Sequence, residues 1–420
     1  MVQKTQANGT SLFPYRVLDL SNQWGLFCGK ILGDMGADVI KIEPPGGDPT
    51  RHIGPFYKNS NKPQESLFWF AFNNNKKSIT LDIEKKEGLE ILKSLVKTAD
   101  FIIESFQPGY LAKLGLSYED LSKINPRIIM VSISPFGQKG PFADYKATDL
   151  TVTALGLLLN ECGERDRAPV QVGFPQTYGN AGADAAVGAM VAHYHRQLTG
   201  EGQQVDVSAM ESVIWPATEV MPEFYILGVN SRRVGRAFVR PNGLQLPVIW
   251  ECKDGYISFL LLGGGPGAKA NRGLTELLIK DNMCPDYLAQ KDWAAWDFDS
   301  TTPEQLELIT KPFSEYFKKH TKAEIIEATL AKRVSCYTVT DAKDVVEEPQ
   351  NQARNFWVNV EHDELKTTIA YAGPFAVFSE APIKPYRRPA LPGENNQEIY
   401  EKELGYDAQK IAALKSQKII

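Results

Sequence analysis

Along the first third of the chain, apolar and polar positions switch repeatedly between two periods. Residues 16–20 (RVLDL), 38–43 (DVIKIE), 101–106 (FIIESF) and 127–134 (RIIMVSIS) are short apolar runs of strand length. Between the first two, Phe27, Ile31, Leu32 and Met35 recur at helical spacing, and Gly36 supplies a stop. Leu89, Ile91, Leu92, Leu95 and Val96 repeat the helical pattern before the third run. Strand, helix and strand in this order predict β-α-β units, a parallel sheet and right-handed crossovers.

Residues 179–197 read as a helix of small side chains, among them Ala181, Gly182, Ala183, Ala185, Ala186, Gly188 and Ala189. Such a surface lets another backbone approach closely. Residues 200–202 (GEG) end it, and 204–207 (QVDV) return to a strand. From about residue 231 short strands, as at 256–261, mix with helices at 271–279 and 322–330, as in a smaller domain. A final segment opens at 349–356. Strands are predicted there at 357–360 and 375–379, and a helix at 408–414. No repeat or heptad run interrupts this organisation.

With 420 residues, the chain is long enough for one large and one smaller core. Its formal net charge of -5 argues against bulk nucleic-acid binding, which needs a basic face. Five dispersed cysteines without metal spacing read as reduced thiols. The polar start MVQKTQANGTSLFPY lacks the apolar core of a signal peptide, and no apolar run is long enough for a bilayer. A soluble cytoplasmic protein is the expectation, with no membrane partner.

The residues by themselves name no reaction. GxSxG, HExxH and P-loop motifs are absent. The glycine cluster at 263–267 lacks a following Lys-Ser/Thr and reads as a plain loop rather than a phosphate cradle. His193 and His195 lie two apart on a helix, so they face different ways, and no metal site is expected.

Longer segments carry more. Residues 17–51 (VLDLSNQWGLFCGKILGDMGADVIKIEPPGGDPTR), 73–83 (NNNKKSITLDI), 99–116 (ADFIIESFQPGYLAKLGL), 125–141 (NPRIIMVSISPFGQKGP) and 199–212 (TGEGQQVDVSAMES) resemble, in order, the family III CoA-transferases. The likeness resumes at 252–256 (CKDGY) and 353–357 (ARNFW) and is weakest over about 262–340. It implies an α/β fold: a large Rossmann-like CoA-binding domain from 1–225 and 340–420, and a smaller α+β domain from 226–339. It also implies a dimer of two chains threaded through each other, with an interface far larger than a transient one.

Coenzyme A is then a substrate, with no resident cofactor and no metal. Carried over by position, Asn22 and Gln23 line the pantetheine end, Leu81 and Phe106 flank adenine and pantetheine, Ser105 is a further CoA-binding residue, and Lys113 and Lys146 meet the phosphates. Two positions depart from the formyl-CoA transferase pattern. Pro44 replaces an arginine and Glu84 a lysine, removing positive charge from the phosphate region.

The family mechanism uses an aspartate that attacks the acyl-CoA thioester. It forms a mixed anhydride and then an aspartyl-CoA thioester, which an incoming carboxylate resolves. Four residues before Gly182, where that aspartate belongs, stands Tyr178. A phenol is protonated at neutral pH, and its acyl ester cannot become an enzyme-CoA thioester. Asp184 and Asp149 are the fallback nucleophiles, although six helical residues place Asp184 roughly 9 Å along from Tyr178. Thr148 at the histidine position of the family's racemases, together with Tyr178, removes both bases of that chemistry.

Within the family, the pattern resembles the aspartate-lacking chain of two-subunit succinyl-CoA:benzylsuccinate CoA-transferases of anaerobic toluene degradation. The expected partner is a homologous family III chain, with an acyl-CoA and a carboxylic acid as substrates. Two alternatives stand beside it: an active homodimer using another carboxylate, and a CoA-binding protein without a reaction. Trp250, Tyr256, Phe259, Trp293 and Trp296 are compatible with an aromatic acid but read better as core.

Overall fold

The computed structural model describes residues 9–240, 242–297, 299–381, 383 and 385–420. The first eight residues of the polar N-terminal stretch lie outside that set. The chain divides into two compact units. One comprises Met1–Leu159, Gln171–Asn230 and Gln350–Ile420; the other comprises Asn160–Val170 and Ser231–Pro349.

The larger unit is built on six parallel strands: β1 (Arg16–Asp19), β2 (Asp38–Glu43), β3 (Lys77–Thr80), β4 (Phe101–Glu104), β5 (Ile129–Ser134) and β6 (Gln204–Ser208). Their order is β3-β2-β1-β4-β5-β6. Side chains alternate across a strand. Ile102 and Met130 therefore enter one core with Leu92 and Leu121, whereas Phe101, Ile103, Val131 and Ile133 enter another with Ala181, Ala185 and Ala189. Burial on both faces explains why the strands read as continuous apolar runs.

The helices that concern the site are α1 (Leu26–Asp34), α2 (Lys86–Val96), α3 (Tyr118–Ile124), α4 (Asp149–Leu155) and α5 (Thr177–Thr199). The small-residue pattern on α5 meets α1. A Cβ built on Gly182 would lie 2.7 Å from the Phe27 Cβ and 3.1 Å from the Cys28 nitrogen, so only glycine permits this approach. Gly36, at φ +103°, follows α1 as its stop.

In the smaller unit, β7 (Ala237–Val239) and β8 (Gln245–Pro247) form a hairpin. Next, β9 (Ile249–Cys252), β10 (Gly255–Phe259) and β11 (Cys336–Val339) form an antiparallel sheet. Helices α6 (Gly264–Lys280), α7 (Pro303–Lys319) and α8 (Lys322–Ala331) accompany it. Trp250, Phe259, Trp293, Trp296 and Phe313 form the core of this unit, whereas Tyr256 is exposed. The glycine cluster is not a plain loop. Gly263 caps α6 and Gly264 begins it, and a Cβ on Gly267 would collide with the Leu262 carbonyl.

The returning segment adds β12 (Trp357–His362), β13 (Thr367–Ala372) and α9 (Ala408–Ser416) to the larger unit. The strand expected at 375–379 is not formed. Thr367–Ala372 pairs with β12 in its place, and Phe375, Val377 and Phe378 stand exposed without a sheet to join. The His193 Nδ1 is 2.7 Å from Arg196, and its ring lies against Tyr15.

Candidate functional site

In this strand order the chain reverses direction across the sheet between β1 and β4. The segments after those two strands diverge there, where open α/β sheets bind ligands. A cavity of about 620 Å³ lies at this place. Leu20 and Asn22 line it from β1, Ile42 and Pro44 from β2, Leu81 from β3, and Phe106 and Tyr110 from β4. The two walls at the switch point are latched together. The Asn22 N–H donates to Ser105 Oγ (2.8 Å), and the Ser105 hydroxyl donates to Asn22 Oδ1 (2.8 Å). Phe106 stacks on Tyr110 at 4.7 Å.

Beneath the β1 and β2 loops lies a buried charge network. Asp19 pairs with Lys76 at 2.8 Å, Lys41 with Asp48 at 3.1 Å, and Arg51 with Glu43 at 2.7 Å. Burial opposes ionisation of Asp19, yet Lys76 and Lys41 hold its carboxyl below the usual range. Lys41 also donates to the Ser21 carbonyl, which ties the network to the turn carrying Asn22 and Gln23. Buried charges that are fully paired make such loops rigid, and removing one partner is costly.

The cleft is poor in free positive charge. Asp48, Asp82 and Glu84 line it with Lys85 and Lys418. The Lys85 ammonium donates to the Gln417 and Lys418 carbonyls (2.6 and 3.0 Å). The Tyr110 hydroxyl donates to Glu84 (2.8 Å). Lys113, at the end of the helix Tyr110–Lys113, and Lys146 are exposed and are not among the lining residues.

Tyr178 stands in the first turn of α5. Its ring meets Trp24 edge-on at 4.9 Å. Burial pushes its phenol above the ordinary tyrosine value, with Asp149 adding to the shift and a hydrogen bond from Gln23 opposing it. Asn22 therefore faces the cleft while its neighbour Gln23 reaches Tyr178. Asp149 is a helix cap. Its Oδ1 accepts from the N–H groups of Gln176 and Thr177 (both 2.8 Å) and from the Thr177 hydroxyl (2.7 Å), and its Oδ2 accepts from Gln171 (3.1 Å). Thr148 caps α4 in a capping box with Thr151. Asp184 is exposed, on a different face of α5 from the buried Ala181, Ala185 and Ala189.

Sequence reasoning missed Tyr110, Lys85, Lys418 and the charge network. Tyr110 left little signal, since a turn through Gly109 rather than helical spacing brings it onto Phe106. Lys418 left none, since only folding brings that end of the chain to β3.

Fold and cleft define a Rossmann-type α/β protein with a cavity at the carboxyl ends of its parallel strands. The model of CoA-transferase family III matches residues 13–396, and the chain belongs to that family. It is 33% identical to the succinyl-CoA:(R)-benzylsuccinate CoA-transferase subunit BbsE of Thauera aromatica, over 96% of each chain. It is 31% identical to succinyl-CoA–D-citramalate CoA-transferase of Chloroflexus aurantiacus, over 94% of each. The crystal structure of a CAIB/BAIF family protein from Brucella suis superposes with a TM-score of 0.80 at 26% identity, covering 94% of this chain and 99% of that one. Among the described residues, no helix is long and apolar enough to cross a membrane.

Proposed function

We propose that this chain is the aspartate-lacking subunit of a two-chain CoA-transferase. The enzyme moves CoA from an acyl-CoA such as succinyl-CoA to a carboxylic acid, and benzylsuccinate is the favoured acceptor. Coenzyme A is handled as a substrate rather than as a resident cofactor. The observation that carries the reading is the half-buried phenol of Tyr178 at the nucleophile position. Its raised pKa keeps it neutral, and a neutral phenol does not attack a thioester. Neither fallback carboxylate supports the alternative of an active homodimer. Asp149 is engaged by four hydrogen bonds, and Asp184 stands six residues, roughly 9 Å, along α5 from Tyr178.

Pairing with a second chain is supported by α5. Val187, Val191, Tyr194 and Leu198 recur at helical spacing and are 63–70% exposed. An apolar stripe of that kind marks a surface made to be covered. The likeness to a relative whose name describes a subunit agrees with this.

The CoA sites Asn22, Gln23, Leu81, Ser105 and Phe106 belong to the reading. Lys113 and Lys146 are assigned to the phosphate end as exposed surface cations. With Glu84 on the cleft, CoA affinity is expected to be weak in this subunit. Native mass spectrometry of the complex purified from its source tests the assignment. Equal amounts of this chain and a homologous aspartate-bearing chain are expected. A fully active homodimer of this chain alone would refute it.

A further inference from the structure

Glu104, the last residue of β4, is buried and takes no part in the chemistry described above. In the sheet register it stands beside Ser132 of β5, which stands beside Asp206 of β6. The three side chains therefore form one row on one face of the sheet. Glu104 Oε2 accepts the Phe106 N–H at 2.8 Å. Gln204 donates to Ser132 Oγ (3.0 Å), which leaves the Ser132 hydroxyl proton for its own hydrogen bond to Glu104. Asp206 is held in place by the Gln138 N–H. On the β1 side the neighbour is apolar Leu20, whose N–H is bonded to the Ile103 carbonyl. The elements packed on this face, α2, Tyr110–Lys113, α3, residues 397–403 and α9 with the residues after it, add no charge to Glu104, on which Asp206 acts.

The bonded N–H belongs to the residue that forms the aromatic wall of the cleft. It follows Ser105, which latches that wall to Asn22. We propose that Glu104 is a positioning residue: through the Phe106 N–H its carboxylate sets the turn that carries Ser105 and Phe106, and its state of charge tunes the cleft for its ligand.

An ionised carboxylate accepts a backbone N–H about twice as strongly as a neutral acceptor does. Burial, with Asp206 adding to it, pushes the Glu104 carboxyl up to about 7, where it changes charge at neutral pH. The sign follows. Above that value the carboxylate grips Phe106 and the wall is ordered. Below it the carboxyl is neutral, the grip weakens, and affinity falls.

The test uses the full chain with ¹⁵N-labelled phenylalanine. The Phe106 amide, identified by its loss in Phe106→Leu, should titrate with a midpoint near pH 7. Glu104→Gln, nearly isosteric, should abolish that titration. Asp206→Asn should lower the midpoint, because a like charge is removed. A Phe106 amide that does not respond to pH, or that titrates unchanged in Glu104→Gln, overturns the proposal. The link to affinity rests on reading the cleft as an acyl-CoA site. CoA should bind about threefold or more tightly at about pH 8 than at about pH 6, and equally at both in Glu104→Gln. A titrating amide without CoA binding at either pH would keep the positioning role and overturn the reading of the cleft.

Discussion

At the scale of single residues, Tyr178 and Asp149 stand close to the start of α5 in different roles. The phenol packs on Trp24 and takes a hydrogen bond from Gln23; the carboxylate caps α5. In the proposed two-chain enzyme, Tyr178→Phe should leave turnover within about twofold, because no bond forms at the oxygen. Peptide mass spectrometry during turnover should find the acyl and CoA adducts on the partner chain. An adduct on any residue of this chain would overturn the assignment, and one on Asp184 or Asp149 would promote the homodimer. The residue scale was only partly legible in the sequence. The proposed place of Tyr178 could be counted off from Gly182, but that Asp149 is engaged as a cap could not. Its partners Gln171, Gln176 and Thr177 lie more than twenty residues away and carry no local signature.

The element that organises the larger unit is α5, because it faces two ways. Its alanines and Gly182 lie against α1 and the sheet, and its larger apolar side chains face solvent. Small residues on the inner face bring α1 close, and α1 follows the turn of Asn22 and Gln23. The helix contact therefore helps to place the site. Gly182→Val should cost about 1–3 kcal/mol or more through overpacking against Phe27 and Cys28, read as a lower urea midpoint. An unchanged midpoint would show that α1 yields at no cost. Elements were the most legible level. Each of β1, β2, β4, β5 and β6, and α5 itself, has a counterpart in the hydrophobic pattern within a few residues. The miss at 375–379 is instructive. An apolar run predicts a strand only if a neighbouring edge is free to pair, and β12 had already taken β13.

For the whole molecule, the question is what covers the exposed stripe. Replacing Val191 and Tyr194 together by glutamate places two charges in the proposed interface. The chain should keep its helical circular dichroism, since both side chains are solvent-facing here, but should no longer co-purify with a family III partner. Retention of the partner at full stoichiometry would move the interface elsewhere.

Local periodicity settled, from the sequence alone, that this protein has a parallel β-α-β half. The order of its motifs settled the family, and a count from one glycine gave the proposal that Tyr178 stands at the nucleophile position. All of these are near-neighbour properties of the chain. Only the tertiary structure decided that Lys76 neutralises Asp19, that Glu104 stands in a row with Ser132 and Asp206, and that Lys418 lines the cleft with Leu81. The reason is physical. The energy of a buried charge depends on which groups the fold brings within a few ångströms, and the strand order that does so is not written in any local period.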